Sequence, residues 1–265
     1  MTRSLAPART MLDWRIIRDP PLPGHRNMAR DHALARELPE GEGVLRLYSW
    51  DPPGISFGRN EPSSGRYDLA RALEEGVTFV RRPTGGRAVL HHGELTYALV
   101  FPARAMGGLK AAYHLINQGL LAGIQGLGAA AELASPSGPS LPPDAGPCFR
   151  QPARGEVTAQ GRKLIGSAQV RMGAAVLQHG SIILDGDQSL LRVLRGGCEE
   201  VPPPATLKGL LGFVPRMEAL GESLQDGLTR TLGGTWKKDS WRNSEMLASE
   251  ELEAHYSDAD WTWRL

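Results

Sequence analysis

A thiol and an ammonium, fifteen residues apart, are the side chains of this sequence best suited to covalent chemistry. Cys148 ends a stretch rich in Ser, Pro and Gly, so we expect an exposed and mobile thiol. Lys163 begins an apolar strand pattern further along the chain. An ammonium beside a thiol increases the thiolate fraction, and it can also donate a hydrogen bond to the oxyanion of a tetrahedral intermediate. The residues alone leave open the alternative that the two side chains never meet, because spacing does not prove contact.

A glycine turn between arginines is the second candidate site. Gly85-Gly86 can adopt positive φ and lets another group approach the backbone closely, while Arg81, Arg82 and Arg87 bring three permanent charges to the same stretch. Exposed N–H groups flanked by guanidinium groups suit an acidic or carbonyl-bearing ligand. The alternative is a hairpin with a solvated basic rim, and short glycine motifs do not decide between the two.

Three sequence motifs resemble those of the biotin/lipoate attachment family, which comprises lipoate–protein ligases, octanoyltransferases and biotin ligases. They are Arg81-Arg82-Pro83-Thr84-Gly85-Gly86-Arg87-Ala88-Val89-Leu90-His91, then Gly161-Arg162-Lys163-Leu164-Ile165-Gly166-Ser167-Ala168-Gln169, then Leu177-Gln178-His179-Gly180-Ser181-Ile182. The resemblance covers about residues 12–263. The pair Cys148-Phe149, upstream of the lysine, resembles the cysteine-dependent octanoyltransferase branch, since ligases generally lack this cysteine.

The resemblance assigns roles to residues of all three motifs. It implies that Cys148 is the nucleophile and that Lys163 is the catalytic lysine, which contacts the acyl carbonyl. It implies an acyl tunnel walled by the glycine turn. The substrate-binding residues implied are Arg82, Thr84, Gly85, Gly86, Arg87, Ala88, His91, Gly166, Ala168, His179 and Gly180.

The remaining histidines and cysteine suggest no metal centre, because the sequence has no Cys/His cluster with suitable ligand spacing. We interpret His91 and His179 as groups that shape the pocket. His92 stands where the family commonly has an aspartate, and Cys198 is interpreted as an incidental surface thiol. Asp31 and His32, on a predicted helix, are expected to be surface or capping groups.

The function implied is octanoyl transfer from acyl carrier protein to a lysine of a lipoyl domain, such as that of the glycine cleavage H protein. A thioester on Cys148 would keep the acyl group activated, so no cofactor is required. One alternative is an ATP-dependent lipoate–protein ligase, which would need ATP and Mg²⁺. Others are octanoyl transfer between two lipoyl domains and a non-catalytic acyl or lipoyl-domain binding module. The sequence does not decide the donor preference, acceptor, acyl length limit or oligomeric state.

Composition limits the other function classes. The 265 residues include 30 Lys and Arg against 29 Asp and Glu, and this balance favours neither nucleic acid nor membrane as a partner. No apolar run is long enough to span a bilayer, and the N-terminus lacks the apolar core of a signal peptide. Two cysteines are too few for a disulfide framework. We therefore expect a cytoplasmic, reducing environment.

The hydrophobic patterns and the resemblance together predict an α+β fold, with a mixed, mostly antiparallel sheet flanked by helices. Residues 12–245 are expected to form the catalytic domain and 246–265 a helical tail packed on it. Helices are predicted at 28–37, capped by Asn27, and at 67–76, 110–128, 189–194, 217–232 and 245–256. Strands are predicted at 14–17, 44–50, 55–58, 78–80, 88–90, 95–101, 156–158, 163–171 and 176–184.

Overall fold

The computed structural model describes residues 10–135, 154–196 and 203–265, and its largest element is a mixed eight-stranded sheet. The strand order is β11-β1-β2-β6-β10-β9-β8-β7. Strands β11, β1 and β2 run parallel to one another, and every pairing from β2 to β7 is antiparallel. The bounds are β1 Asp13–Arg18, β2 Glu42–Tyr48, β6 Glu94–Pro102, β7 Glu132–Leu133, β8 Val157–Ala159, β9 Arg162–Met172, β10 Ala175–Ile183 and β11 Thr235–Lys238. The predicted fold class is confirmed.

A second, three-stranded sheet carries the glycine turn. Its order is β4-β3-β5, with β3 parallel to β4 and antiparallel to β5. The strands are β3 Gly54–Phe57, β4 Thr78–Arg81 and β5 Val89–His91. Because β4 and β5 flank the same central strand, the turn between them is held at the end of this sheet, facing the larger one.

The large sheet buries a different apolar set on each face, as strand alternation requires. On one face, Leu45, Leu47 and Leu99 belong to the core that includes Ile116 and Leu224 of the paired helices α3 and α6. On the other face lie helices α1 and α7. The helices are α1 Gly24–Arg36, α2 Leu69–Glu74, α3 Leu109–Gly126, α4 Ser189–Leu194, α5 Leu207–Leu211, α6 Met217–Leu232, α7 Asn243–Ser257 and α8 Ala259–Trp263.

The predicted cap of the first helix is wrong. Helix α1 begins at Gly24, so Asn27 lies inside it, buried, and its Nδ2 donates to the carbonyls of Leu22 and Ser49 instead of capping the helix. The helix predicted at 67–76 forms as the shorter α2, but its Leu69 and Leu73, four residues apart, are 54% and 82% exposed. A four-residue spacing predicted the helix correctly here but not which face it buries.

The C-terminal helices contact several other elements of the chain. Helix α7 packs along α1, and the backbone carbonyls of Trp261 and Thr262 accept hydrogen bonds from Arg81. The division into residues 12–245 and 246–265 stays a prediction. Within the described part of the chain, no helix combines the length and apolar character needed to cross a bilayer.

Candidate active site

A cavity lies where the two sheets face each other below α1, and all three motifs contribute to its wall. It encloses about 450 Å³ of empty space, its open mouth included. Seven residues predicted to bind substrate line it: Arg82, Gly86, His91, Gly166, Ala168, His179 and Gly180. The other lining residues come from α1, β2, β3, β5, β6, β9, β10 and the segment after β2: Met28, Tyr48, Trp50, Ser56, Val89, Thr96, Ser167 and Ser181.

Glycines permit the close backbone approaches that shape this wall. Gly86 has a φ of +93°, and a Cβ added at Gly58 would lie 1.8 Å from the carbonyl oxygen of Gly86. A Cβ added at Gly180 would lie 2.2 Å from the carbonyl oxygen of Gly166 on the neighbouring strand. No side chain larger than hydrogen fits at Gly58 or Gly180 without moving backbone. The glycines are therefore needed where turn and strands meet.

The arginines of the glycine turn are buried, and two of them, Arg81 and Arg82, bind backbone carbonyls. Arg81 is 0%, Arg82 5% and Arg87 9% exposed, so the alternative of a solvated basic rim is wrong. Arg82 Nη2 donates to the carbonyl oxygens of Gly85 and Arg87, each at 2.8 Å, and its Nη1 donates to that of Ser56. The guanidinium of Arg82 thus fixes the turn from inside.

Four of the residues predicted to bind substrate do not line the cavity. Thr84 is fully buried and hydrogen-bonds His179. Ala88 lies in the core of the small sheet, whereas Gly85 is exposed at the tip of the turn. Arg87 contributes its carbonyl to Arg82. Their predicted part in substrate binding stays a prediction, and in the structure they support the cavity wall.

His179 is the centre of a buried hydrogen-bonded chain that joins three elements. Its Nε2 lies 2.7 Å from Thr84 Oγ1 in the glycine turn, and its Nδ1 lies 2.9 Å from Asp31 Oδ2 in α1. Because the carboxylate accepts the proton on Nδ1, Nε2 accepts from the threonine hydroxyl. The expectation that Asp31 is a surface or capping group is wrong, since its side chain is completely buried in this chain.

Arg46, on β2, compensates the charge of Asp31. Its Nη1 donates to Asp31 Oδ1 at 2.7 Å, and its Nε donates to Asp19 Oδ2 at 2.6 Å. Tyr48 donates its hydroxyl to Asp31 Oδ2 at 2.8 Å. Every oxygen of Asp31 is therefore hydrogen-bonded in the dry interior, which is the condition for burying a carboxylate at acceptable cost.

Burial and the neighbouring charges determine the protonation states of Asp31, His179 and Tyr48. Burial alone would raise the pKa of Asp31, but Arg46, His179 and Tyr48 outweigh it and hold the pKa below its ordinary value. Burial lowers the pKa of His179 despite the neighbouring Asp31. Burial also raises the pKa of Tyr48 well above its ordinary value. Near pH 7, the hydrogen-bonded chain around His179 therefore consists of an ionised aspartate, a neutral imidazole and a neutral phenol.

His91 occupies a corresponding position on the side of the small sheet. Its Nδ1 lies 2.7 Å from Glu94 Oε1, and its Nε2 lies 2.7 Å from Ser56 Oγ. The indole of Trp50 stacks on the imidazole with the ring centroids 3.8 Å apart. Trp50 Nε1 donates to Thr96 Oγ1. Because these polar groups bind one another, the cavity presents a mostly apolar surface, as an acyl chain requires.

Lys163 lies at the start of β9 and forms a buried ion pair that the sequence did not indicate. Its Nζ is 2.7 Å from Glu156 Oε1, and both side chains are almost entirely inaccessible to solvent. The strands predicted at 156–158 and 163–171 form a hairpin here, and Gln160 and Gly161 both have positive φ, as a two-residue turn between β8 and β9 requires. Only spatial proximity could have identified Glu156, which reads in the sequence as an ordinary strand residue.

The sequence also singled out two cysteines and two further histidines. Cys148 and Cys198 both lie outside the described residues. His92 is exposed, and His32 is partly buried with its Nδ1 3.0 Å from the hydroxyl oxygen of Tyr256. In the described ranges, no group of three or more His, Cys, Asp or Glu side chains could hold a metal ion.

Comparison of sequences confirms the predicted resemblance and the predicted enzyme class, an acyltransferase. The chain is 35% identical over 274 residues to octanoyltransferase LipM of Kyrpidia tusciae, covering 96% of this chain and 100% of that protein. It is 37% identical over 277 residues to LipM of Moorella thermoacetica, covering 97% and 99%.

Comparison of structures agrees at the level of the fold. Lipoate-protein ligase A bound with ATP has a TM-score of 0.81 at 21% identity, covering 95% of this chain and 99% of that one. A bi-partite lipoate protein ligase from Thermoplasma acidophilum, studied with its E2 lipoyl domain, has a TM-score of 0.73 at 20% identity, covering 96% and 97%. The model of the lipoyl protein ligase A/B catalytic domain matches residues 23–228, and the chain belongs to that family.

Proposed function

We propose that the protein transfers an octanoyl group from acyl carrier protein to a lysine of a lipoyl domain, such as that of the glycine cleavage H protein, in lipoate biosynthesis. The Cys148 thiolate attacks the donor thioester carbonyl, the bond from that carbonyl to the carrier's sulfur breaks, and the carrier leaves as a thiolate that takes up a proton from solvent. The neutral amine of the acceptor lysine then attacks the new thioester, forming an amide and releasing the Cys148 thiol. The scheme balances without ATP, metal or redox cofactor.

The observation that carries this proposal is the apolar cavity built from all three motifs. Its polar wall groups are hydrogen-bonded to one another, so it suits an uncharged acyl chain better than an acidic ligand. The LipM relatives supply the choice of octanoyl. The family of the chain supports a lipoyl domain as acceptor.

The length of chain between Cys148 and Lys163 is compatible with a role of Cys148 as nucleophile. Backbone hydrogen bonds link Ala134 N to Glu156 O at 2.8 Å and Gly155 N to Ala134 O at 3.1 Å. Cys148 lies seven positions before Gly155, and a chain of that length spans about 25 Å at most. Glu156 contacts Lys163, so the length of chain permits the thiol to reach the lysine.

The test is incubation with octanoyl–acyl carrier protein and a lipoyl-domain acceptor, with and without ATP and Mg²⁺. We expect transfer without ATP, and an acyl adduct that intact mass and peptide mapping locate on Cys148. Cys148→Ala should abolish both, whereas the matched variant Cys198→Ala should retain both. Transfer that requires ATP and tolerates Cys148→Ala would establish the ligase alternative instead.

A second experiment tests the cavity as the acyl site. Ala168 lines it from β9, and Ala168→Leu adds bulk without the backbone strain that a substitution at the positive φ of Gly86 would cause. We expect octanoyl transfer to fall more than transfer of a shorter acyl chain. Thermal unfolding controls for damage to the fold. An unchanged preference for acyl length would locate the chain elsewhere.

A further inference from the structure

The Lys163–Glu156 pair differs from the other polar groups near the cavity because neither member lines the acyl wall. A buried ammonium tends to lose its proton, since burial penalises the charged form. A carboxylate oxygen at 2.7 Å from the Nζ atom opposes that tendency. The structure therefore provides a specific stabiliser for the charged state of Lys163.

The main chain at Glu156 is held by hydrogen bonds from neighbouring parts of the fold. Its carbonyl accepts from Ala134 N at 2.8 Å. The preceding carbonyl, of Gly155, accepts from Nδ2 of Asn117, a fully buried side chain of α3, at 2.9 Å. These contacts come from two different elements, so the backbone of Glu156 is held from both sides.

A β-bulge in the pairing of β8 with β9 lies next to Lys163. Lys163 pairs with Thr158, but the next pair is Val157 with Ile165, so Leu164 is an extra residue of β9. Such bulges increase the local twist and re-aim side chains. The carbonyl of Lys163 also accepts from Ala205 N at 3.0 Å. Both members of the ion pair are thus positioned by backbone contacts.

We propose that Glu156 is a positioning residue that keeps the Lys163 ammonium charged and directed toward the acyl carbonyl. This inference rests on the proposed function together with the role that the resemblance implies for Lys163, as a donor to the acyl oxyanion. Glu156 does not line the cavity, so it acts through Lys163. A buried ion pair contributes little net stability compared with apolar residues of similar volume, so stability alone does not account for it.

The test measures formation of the acyl-enzyme from octanoyl–acyl carrier protein against pH, because this half-reaction is independent of the acceptor amine. Glu156→Gln retains the size of the side chain but removes its charge. We expect a loss of about 100-fold near pH 8. We also expect the alkaline limb of the profile to move to lower pH, with part of the rate recovered near pH 6.

Three variants make the result decisive. Glu132→Gln, which removes an exposed carboxylate on β7, should leave the rate and profile unchanged. Glu156→Asp retains the charge and should preserve the position of the alkaline limb, although its shorter reach lowers the rate. In a Lys163→Ala background, Glu156→Gln should cause no further loss, because the two act as a unit.

A wild-type rate and profile for Glu156→Gln would overturn the inference, and so would an equal loss at every pH. Cys148→Ala in the same assay distinguishes this failure from failure of the proposed function. If Cys148→Ala is inactive while Glu156→Gln behaves as wild type, only the inference about Glu156 fails. If Cys148→Ala retains full activity, the thioester scheme fails first.

Discussion

His179 and His91 line the same cavity, each with a carboxylate at Nδ1 and a hydroxyl group at Nε2, yet their surroundings differ. The carboxylate beside His179 belongs to Asp31, whose oxygens accept hydrogen bonds from Arg46, Tyr48 and the imidazole. The carboxylate beside His91 belongs to Glu94, and Oε2 of Glu94 has no hydrogen-bond partner among the described residues. One imidazole is fixed by a charge-balanced network and the other by a local contact.

The difference follows from which elements each network joins. The His179 network connects α1, β2, β10 and the glycine turn, which are far apart in the sequence. In the His91 network the carboxylate lies only three residues from the imidazole, and Glu94 also accepts from Thr96 Oγ1 at 2.5 Å. Further hydrogen bonds extend this network to Ser56 on β3 and Ser181 on β10, and Ser56 in turn accepts from Arg82. Because long-range contacts hold separate elements together, we expect disruption of the first network to affect the whole fold and of the second to affect mainly the pocket.

Arg46→Met should give the largest effect. It removes the guanidinium shared by Asp31 and Asp19, so Asp31 loses its arginine, whereas Asp19 retains Arg30 at 2.9 Å. We expect the free energy of unfolding to fall by about 3–5 kcal/mol, measured by urea denaturation. Arg26→Met, which breaks an exposed ion pair with Glu253, is the control and should cost about 1 kcal/mol or less. Similar losses in both variants would contradict a structural role for the buried network.

The residues of the site that belong to the sequence motifs were predicted, whereas the residues that support them were not. Its motifs indicated His91, His179, Gly166 and Gly180, and the structure brings these together. It did not indicate Asp31, because a helix pattern shows periodicity but not which distant arginine faces a given carboxylate.

The arginines of the glycine turn show the same limit. Three cations in a polar stretch were expected to offer their charge to a ligand or to solvent, yet Arg81 and Arg82 bind carbonyls inside the fold. A guanidinium has five donors and can serve as an internal strut when enough backbone acceptors converge on it. That convergence depends on the tertiary structure. The fold class was predictable because strand and helix periodicities are local.

Asp31→Asn should have a smaller effect than loss of Arg46. It removes the charge that Arg46 and His179 bind, but Arg46 retains Asp19 as a partner. We expect a loss of about 1.5–3 kcal/mol in the free energy of unfolding, the range for a hydrogen bond to a charged group. Octanoyl transfer should also fall, because the amide no longer fixes the imidazole with Nε2 toward Thr84. An unchanged transfer rate would show that this orientation has no part in the reaction.

Glu94→Gln tests the other histidine in the same way. The amide replaces a carboxylate whose Oε2 makes no hydrogen bond, so one of the two oxygens has no bond to lose. We expect a loss of about 0.5–1.5 kcal/mol, below that of Asp31→Asn. Urea denaturation of both variants under one condition measures the comparison. A larger loss for Glu94→Gln would mean that the His91 side is the more important one for stability.

The smallest effect we expect is in the pH dependence of stability, to which His179 contributes through its titration. Burial lowers the pKa of His179 in the folded protein, so the unfolded chain takes up the proton more readily as pH falls below about 6.5. The stability that the neutral imidazole contributes is therefore present above that value and is lost as pH falls toward the lower, folded pKa.

Between pH 7 and pH 6 the contribution of His179 should be below about 1 kcal/mol, because one group near the start of its titration releases little free energy. His32, whose pKa burial lowers to about 4, adds a slope of the same sign, so wild type alone is not sufficient. The measurement is the difference in slope between wild type and His179→Gln, from urea midpoints at several pH values. His92→Gln, at an exposed position, is the matched control. If His179→Gln retains the full wild-type slope, the imidazole is not held neutral by its surroundings, and the distinction between the two histidine networks loses its electrostatic basis.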